Sequence, residues 1–256
     1  MAGTIKTADD ITLLREGGKR LAHVVAQAAS LVVPGVSTAV LDARAEALIR
    51  EGGDTPAFLG YTPRGAKRAY PATICISVNN EVVHGIPNEA PRTIQDGDIV
   101  SLDCGLVHHG LIVDHAVTVV VGEREHLARL AQATREALAA GINAARGGAH
   151  VGDIGAAIDE VAEQYGFGNV YQLGGHGVGY AVHEEPFIQN SGRVGEGEEL
   201  VPGMVLAIEP MFTEGAPEVK LTKDGYTYVT KDGGYAAHFE HTILITDGVP
   251  EIFTKE

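Results

Sequence analysis

Apolar side chains recur at helical spacing in the early part of the chain. The segment Thr7–Asp10 carries residues that cap helices. The apolar face that follows it continues to about residue 32. Pro34-Gly35 interrupts this run, after which Ser37 or Thr38 is placed to cap a second helix. We expect that helix to end at Gly52-Gly53, because glycine favours helix C-termini. The pattern therefore predicts a pair of helices ahead of the first strand.

The same arrangement returns in the second half of the chain. Residues 123 to about 140 have the helical period, Gly147-Gly148 interrupts it, and a further helix is expected to end at Gly166. When Gly35 is aligned with Gly148, Gly53 falls on Gly166. This spacing indicates an internal repeat.

Segments rich in β-branched residues, with period-two alternation, follow each pair of predicted helices. The predicted strands are Ile74–Val78, Ile99–Leu102, Leu111–Val121, Val205–Ile208, Tyr226–Val229 and Phe239–Ile245. This order predicts an α+β fold in which paired helices pack against a largely antiparallel sheet. We expect a single catalytic domain over residues 1–256, built from two similar halves of about 1–122 and 123–256.

Composition and charge narrow the class of protein. With 34 acidic and 19 basic residues, the formal net charge is −15, which argues against a nucleic-acid-binding surface. No stretch of the sequence approaches the roughly 20 apolar residues of a membrane span. Cys75 and Cys104 are the only cysteines, too few for a disulfide scaffold. We therefore expect a cytoplasmic protein that binds neither membranes nor a specific nucleic acid.

Carboxylates recur at matched places in the two halves. Asp96–Asp103 and Pro202–Glu209 each run from a glycine turn through an aliphatic strand to a carboxylate. Asp114-His115 and Glu240-His241 each place a carboxylate and a histidine before a β-branched run. Two such units facing each other would bring four carboxylates together, and these repel one another unless cations hold them. The duplication therefore predicts a pair of metal ions suited to hydrolysis.

Three histidines accompany the carboxylates. His84 and His183 each begin a short sequence that ends on proline, at matched positions in the two halves. His176 lies within the glycine-rich stretch Gly174–Gly179, where it offers the one nitrogen ligand of a mixed site. A set of mostly carboxylate ligands with one imidazole favours Mn, Fe, Co or Zn.

Each of these features also has a purely structural interpretation. Asp103 or Asp114 can be an acid at a strand edge, and His176 can be an ordinary residue of a glycine-rich loop. His84 and His183 can cap turns ahead of proline. For the aspartates the duplication favours the metal site, because a carboxylate in an aliphatic strand is costly unless it is paired or bound to metal.

In this order and spacing, the motifs resemble the type I methionine aminopeptidases of the bacterial kind. The resemblance covers essentially the whole chain. It is carried by Ile74–Pro87, the Asp103–Asp114 hairpin, Gly175–Gly179, His183–Pro186, Ala207–Met211 and Phe239–Ile243. It implies the pita-bread fold shared with prolidases and creatinase, in which two halves are related by a pseudo-twofold axis.

The resemblance also implies a set of metal ligands. Asp103 would chelate one ion, Asp114 and Glu240 would bridge both, and His176 and Glu209 would complete the other. The cofactor implied is thus a pair of divalent ions, Co, Mn, Fe or Zn. Such ions lower the pKa of a water molecule so that it can attack the first peptide bond.

Three residues acquire catalytic roles from the resemblance. Glu209 would carry the proton as the tetrahedral intermediate forms and collapses. His183 would donate a hydrogen bond to the carbonyl oxygen of the substrate and stabilise the developing oxyanion. His84 would contact the scissile amide or its departing nitrogen.

A methionine side chain requires an apolar slot about one thioether long. By resemblance, Tyr61, Tyr70, Cys75 and Tyr226 would line this substrate-binding pocket, with His84 at its edge.

The chain departs from the family pattern near both the pocket and the metals. Phe58 stands where a cysteine is common, Val182 where an aromatic residue is common, and Tyr226 where a tryptophan is common. His115, directly after the bridging aspartate, replaces a small or hydroxyl residue. We expect its imidazole to lie behind the metal ligands or at the surface, because it points to the opposite strand face.

The function implied is removal of the initiator methionine from nascent proteins whose second residue is small. The partners would be nascent polypeptide N-termini, met transiently at the ribosome, and we expect the enzyme to be a monomer. Two alternatives are a proline-specific aminopeptidase or prolidase-like enzyme, and a catalytically inactive pita-bread binding module. Inactive relatives lose metal ligands, whereas all five expected ligands are present here.

Overall fold

A computed structural model describes residues 3–63 and 65–255. In these ranges the helices are α1 (Ala8–Ser30), α2 (Thr38–Glu51), α3 (Glu125–Ala144) and α4 (Val151–Tyr165). The strands of the first half are β1 (Thr55–Pro56), β2 (Ile74–Val78), β3 (Glu81–Val83), β4 (Ile99–His108) and β5 (Leu111–Val120). The strands of the second half are β6 (Gly168–Asn169), β7 (Gly174–Gly177), β8 (Glu184–Gln189), β9 (Val205–Ile208), β10 (Met211–Thr213), β11 (Val219–Leu221), β12 (Tyr228–Thr230), β13 (Ala236–His238), β14 (Glu240–Leu244) and β15 (Glu251–Ile252). None of the described helices is long and apolar enough to cross a membrane.

One large antiparallel sheet forms the centre of the molecule. Over the described residues its strand order is β1-β4-β5-β14-β9-β7-β8, with β2 paired to β4 and β15 paired to β14. The long hairpin β4–β5 comes from the first half, and β9 and β14 come from the second. The two halves meet where β5 pairs with β14, so that Glu240 lies opposite Ala116 and His241 opposite His115. The α+β layout with a largely antiparallel sheet is confirmed.

The two helix pairs cover separate parts of this sheet. Leu21 of α1 and Leu41 of α2 belong to one buried cluster, together with Leu102 of β4. Leu130 of α3 and Ile158 of α4 belong to another, which continues into β9 and β14. Burial of a leucine or isoleucine side chain contributes about 1.5–3 kcal/mol, so each half has a core that stabilises its own part of the sheet.

The helix ends follow the sequence signals with one exception. Thr7 and Asp10 form a complete capping box at the start of α1, as predicted. Gly166 ends α4 in the left-handed conformation. Ser37 occupies the N-cap position of α2, but its side chain makes no capping bond among the described residues. The hydroxyl of Thr38 instead donates to the carbonyl of Pro87 and ties the helix start to the segment after His84.

Matched glycines adopt matching backbone conformations in the two halves. Gly97 and Gly203, which precede β4 and β9, have φ angles of 92° and 97°. Gly35 and Gly148, which precede α2 and α4, have φ angles of 94° and 83°. Residues other than glycine rarely adopt these angles, so the glycines at the repeat positions meet a backbone requirement.

The segment around His176 is a strand, which corrects the expectation of a glycine-rich loop. β7 lies between β8 and β9, and His176 pairs with Phe187 on one side and Ala207 on the other. A Cβ atom on Gly175 would lie 2.2 Å from the carbonyl oxygen of Ala207, and one on Gly174 would lie 2.3 Å from that of Ile188. The glycines are therefore required by the close approach of neighbouring strands.

We predict that Gly175→Ala destabilises the chain by ~2–4 kcal/mol, because the added methyl meets rigid backbone. Gly53→Ala provides the matched control: Gly53 has a φ of 81°, and a Cβ there meets no atom of the described residues within 4 Å. Its cost is limited to ~1 kcal/mol of backbone strain. Urea unfolding of both variants measures the difference, and equal losses would contradict the close-approach interpretation.

Candidate metal centre

The β4–β5 hairpin places two aspartates on one face of the sheet. Asp103 pairs with Ala116, and Asp114 pairs with Gly105, so the two carboxylates are diagonal neighbours across the strands. Each aspartate thus faces a small residue, which leaves space above the sheet for both carboxylates. Both side chains are buried.

The second half contributes three side chains to the same region. Glu209 follows the end of β9, and Glu240 begins β14. Because His241 pairs with Ile208, the carboxylates of Glu240 and Glu209 come from adjacent strands. His176 reaches the same place from β7, on the other side of β9.

These five side chains converge. Donor atoms of Asp114, His176 and Glu240 all lie within 4.8 Å of one another. His176 Nε2 lies 3.5 Å from Glu209 Oε1. Asp103 Oδ1 and Glu240 Oε1 are buried without a hydrogen-bond partner among the described residues. Buried carboxylate oxygens without partners are costly, so the arrangement calls for cations.

Burial and mutual repulsion change the acidity of the cluster. Burial, reinforced by the neighbouring charge of Asp114, holds the pKa of Asp103 well above its usual value. Burial also raises the pKa of Glu209 and of Glu240 well above the usual value, and the two aspartates add to both shifts. In Asp114 burial raises the pKa to about 7. Without cations the four groups thus resist ionising together.

The donor set fits divalent ions. Four carboxylates and one imidazole supply oxygen ligands with a single nitrogen, the mixture that Mn, Fe, Co and Zn accept. Burial lowers the pKa of His176 to about 3, so its imidazole is neutral and able to ligate. Cys75 belongs to the aromatic cluster near the carboxylates, whereas Cys104 belongs to the core under α1 and α2. Burial raises the pKa of each thiol well above its usual value, which disfavours a thiolate site.

Two further histidines adjoin the carboxylates. The ring of His183 lies edge-on to that of His176, with centroids 4.5 Å apart. Its Nδ1 lies 2.9 Å from the phenol oxygen of Tyr61. His84 is half-buried, lines one cavity together with the carboxylates and has a φ of 59°, a strained conformation for a residue with a side chain. Burial lowers the pKa of His84 to about 4 and also lowers that of His183, so both imidazoles are neutral at pH 7.

An apolar pocket opens onto this cluster. The cavity holds about 370 Å³ and includes Asp103, Asp114, His176, Glu209 and Glu240 in its lining. Its aromatic and apolar lining consists of Phe58, Tyr61, Tyr70, Cys75, Val182 and Tyr226. Tyr70 and Tyr226 meet edge to face, with centroids 5.1 Å apart. All four residues expected to bind the substrate side chain thus line one cavity, together with His84, and their roles remain predictions.

His115 lies behind the carboxylates and not at the surface. Its imidazole is buried, and Nδ1 lies 2.6 Å from the backbone carbonyl oxygen of Glu240. The ring stacks on His241 at a centroid distance of 4.8 Å. His241 Nδ1 in turn bonds the hydroxyl of Thr254. The stacked pair thus holds the backbone of the expected ligand Glu240 from the far side of the sheet.

One residue of the centre, His238, is not among those predicted from the sequence. Its ring is buried, and Nε2 lies 3.5 Å from Glu209 Oε2. Burial lowers the pKa of His238 to about 3, so this imidazole is neutral as well. Period-two alternation back from Glu240 places residue 238 on the same face of an extended chain, and that signal would have pointed to it.

The sequence profile of metallopeptidase family M24 matches residues 12–247. The chain belongs to metallopeptidase family M24. As a member of that family it is a metal-dependent hydrolase, and the carboxylate and imidazole cluster is the candidate site for its divalent ions.

Within this family, the chain is most similar in length and sequence to methionine aminopeptidases among the proteins compared below. The chain is 44% identical to the methionine aminopeptidase of Aquifex aeolicus over 258 residues, covering the full length of both chains. The crystal structure of methionine aminopeptidase from Thermotoga maritima superposes with a TM-score of 0.94 at 41% identity, covering 99% of this chain and all of that one. The prolidase from Pyrococcus furiosus shares the fold with a TM-score of 0.75, at 23% identity over 98% of this chain and 65% of that one. The fold is therefore the pita-bread fold, with methionine aminopeptidases similar to the chain over its whole length.

The buried cluster predicts a pH-dependent stability for the metal-free chain. The pKa of Asp114 is about 7 in the folded chain and 3.8 as an ordinary value, so folding takes up a proton between these limits. The stabilising contribution of Asp114 is therefore present below about pH 4 and lost as the pH rises through about 7. We expect the unfolding free energy of metal-free Asp114→Asn, measured relative to that of wild type, to increase by ~1–3 kcal/mol as the pH is raised from 5 to 8.

Urea unfolding in the presence of a chelator checks this expectation. Asp247→Asn is the control, because Asp247 is exposed and lies outside the cluster. A difference between Asp114→Asn and wild type that stays constant from pH 5 to pH 8 would show that Asp114 is not protonated in the folded chain.

Proposed function

We propose that the chain is a methionine aminopeptidase, which hydrolyses the first peptide bond of a polypeptide and releases its N-terminal methionine. The observation that carries the proposal is an apolar, aromatic-walled pocket that opens directly onto four carboxylates and one imidazole, the expected metal ligands. The full-length similarity to methionine aminopeptidases supports the same reaction. A thioether side chain fits such a pocket because it is unbranched, apolar and polarisable.

The expected ligands are Asp103, Asp114, His176, Glu209 and Glu240, with Asp114 and Glu240 shared between two ions. When bound, divalent ions lower the pKa of water and polarise the scissile carbonyl, so that hydrolysis proceeds at neutral pH. The cluster has oxygen atoms available for such ions, because one carboxylate oxygen each of Asp103 and Glu240 is buried without a hydrogen-bond partner among the described residues.

Glu209 is placed to carry the proton. It accepts one proton from the attacking water and delivers it to the departing amine. In the metal-free cluster, burial and the neighbouring aspartates raise the pKa of its carboxyl well above the usual value. Its backbone is held by Asn190, whose side-chain amide donates to the Glu209 carbonyl at 3.0 Å.

His183 is placed to stabilise the developing oxyanion. Tyr61 and Nδ1 of His183 share a hydrogen bond, and we assign the phenol as its donor, which leaves the proton of the neutral imidazole on Nε2. Nε2–H is thus available to donate to the carbonyl oxygen of the substrate. His84 also lines the cavity and is the candidate contact for the scissile amide.

The substrate side chain occupies the slot formed by Tyr61, Tyr70, Cys75 and Tyr226. Phe58 and Val182 complete its lining, and Phe58 contributes more volume than a cysteine would at that position. The substrates are nascent polypeptides that carry an initiator methionine before a small second residue. We place the reaction in the cytoplasm, at or near the ribosome, and expect a monomeric enzyme with Co, Mn, Fe or Zn bound.

Hydrolysis of Met-Ala-Ser and Ala-Pro-Ala by the purified chain tests the proposal. The protein is treated with a chelator and then supplied with Mn, Co, Fe or Zn. We expect metal-dependent release of methionine and no cleavage before proline. Cleavage before proline alone would assign the chain a prolidase-like activity, and no cleavage with any metal would make it an inactive binding module.

We expect Asp114→Asn and Glu240→Gln each to remove nearly all hydrolysis while the chain stays folded. Each substitution keeps the shape of the side chain but removes the charge that two ions would share. Turnover of Met-Ala-Ser gives the activity, and circular dichroism gives the folded fraction. Near-normal turnover in either variant would refute the bridging role of that residue.

We expect His183→Ala to lower kcat by ~10²–10³, in line with loss of one oxyanion donor. Tyr61→Phe should lower kcat by ~10-fold or more, because His183 loses the partner that fixes its tautomer. Calorimetric titration with Mn should show unchanged metal affinity in both. An unchanged kcat in His183→Ala would mean that this histidine has only a structural role, in the backbone turn ahead of Pro186.

A further inference from the structure

His238 combines two properties that are difficult to reconcile with a structural role. Its imidazole is buried, with 1% of the side chain exposed. Neither ring nitrogen has a hydrogen-bond partner among the described residues. Burying a polar group without a partner costs free energy, and an apolar residue would fill the same space at lower cost. The imidazole therefore serves a purpose other than packing.

The backbone fixes where this ring lies. The amide of His238 donates to Thr118 Oγ1 at 3.0 Å, and its carbonyl accepts from the same hydroxyl at 2.6 Å. Thr118 is bonded in turn to Ser101 of β4. On its other side, His238 pairs with Met211 of β10. Both neighbouring elements thus hold the residue in register beside Glu209.

The ring is aimed at one oxygen of Glu209. His238 Nε2 lies 3.5 Å from Oε2, and His176 Nε2 lies 3.5 Å from Oε1. The carboxylate thus stands between two imidazoles, one on each oxygen. His176 is an expected metal ligand, so its nitrogen is committed to the ion, whereas the nitrogen of His238 remains free to donate to the carboxylate.

We propose that His238 is a positioning residue for Glu209: its Nε2–H donates to Oε2 and orients the carboxylate that ligates metal and carries the proton. This inference rests on the proposed function, in which Glu209 has both tasks. A carboxylate that must bind an ion through one oxygen and exchange a proton needs a fixed orientation, and hydrogen bonds to ligating carboxylates supply it. The neutral donor adds no charge that would compete with the ions.

Two amide substitutions at residue 238 distinguish the position of the hydrogen-bond donor from the mere presence of a polar side chain. The amide nitrogen of glutamine in His238→Gln can take the place of Nε2, whereas that of asparagine in His238→Asn reaches only the place of Nδ1. We expect His238→Asn to lower kcat for Met-Ala-Ser by ~10–100-fold with KM changed by less than ~3-fold. His238→Gln should restore kcat to within ~3-fold of wild type. His23→Gln, on the exposed face of α1, controls for loss of a histidine.

Two readouts do not depend on turnover. The visible absorption spectrum of the Co²⁺-loaded chain reports the ligand geometry, and we expect it to shift in His238→Asn but not in His238→Gln. Calorimetric titration of the metal-free variants with Mn should show affinities within ~10-fold of wild type. Thermal unfolding of metal-free His238→Asn and His238→Gln should show midpoints close to that of wild type, because in the metal-free chain the ring makes no hydrogen bond among the described residues and each substitution replaces one buried polar side chain with another.

Three outcomes would overturn the inference. Equal kcat and equal Co²⁺ spectra in wild type, His238→Asn and His238→Gln would show that the ring does not act on Glu209. Loss of Mn affinity by more than ~100-fold in both variants would make His238 a ligand and not a positioning residue. A large drop in the metal-free unfolding midpoint of both variants would restore the packing role. If wild type releases no methionine, the proposed function fails, and the Co²⁺ spectra still decide the role of His238.

Discussion

The burial of four carboxylates around one cavity is the constraint on which the rest of the structure depends. Asp103, Asp114, Glu209 and Glu240 all have raised pKa values, chiefly because of burial, with charge repulsion between neighbours adding to most of the shifts. A fold can tolerate this only if it holds the groups rigidly and cations balance them. The long β4–β5 hairpin and the paired β9 and β14 supply the rigidity, since each carboxylate is on or beside a hydrogen-bonded strand.

The duplication of the fold is a direct way to meet that constraint. Each half supplies two carboxylates from two neighbouring strands, and the halves join along β5 and β14. The stacked His115 and His241 lie at this junction and bond the backbone of Glu240 and the hydroxyl of Thr254. The candidate metal centre therefore lies at the interface between the halves, which explains why polar groups are concentrated at the middle of an otherwise apolar core.

Four neutral histidines lie around the carboxylates, and each ring has a different neighbouring atom or cavity in front of it. Burial keeps His84, His176, His183 and His238 uncharged, so they can ligate, donate or accept without adding positive charge that would repel metal ions. Their partners distinguish them. Tyr61 binds Nδ1 of His183, Glu209 faces His176 and His238, and His84 faces the substrate cavity. In the proposed function, the aromatic pocket would select the substrate side chain by shape and polarisability, separately from the electrostatics of the carboxylate cluster.

The sequence by itself determined the α+β class, the helix bounds to within a few residues, and the five expected ligands, because periodicity, glycine turns and carboxylates at strand ends are local signals. It did not reveal that Gly174–Gly177 is a strand, since the need for glycine there comes from the carbonyls of Ala207 and Ile188 on neighbouring strands. Nor did it reveal that His238 Nε2 faces Glu209 Oε2, or that Tyr61 and His183, residues 122 positions apart, share a hydrogen bond. Those relations depend on which strands become neighbours, and only tertiary packing decides that, because the chain brings distant segments within hydrogen-bonding distance only once the sheet has formed.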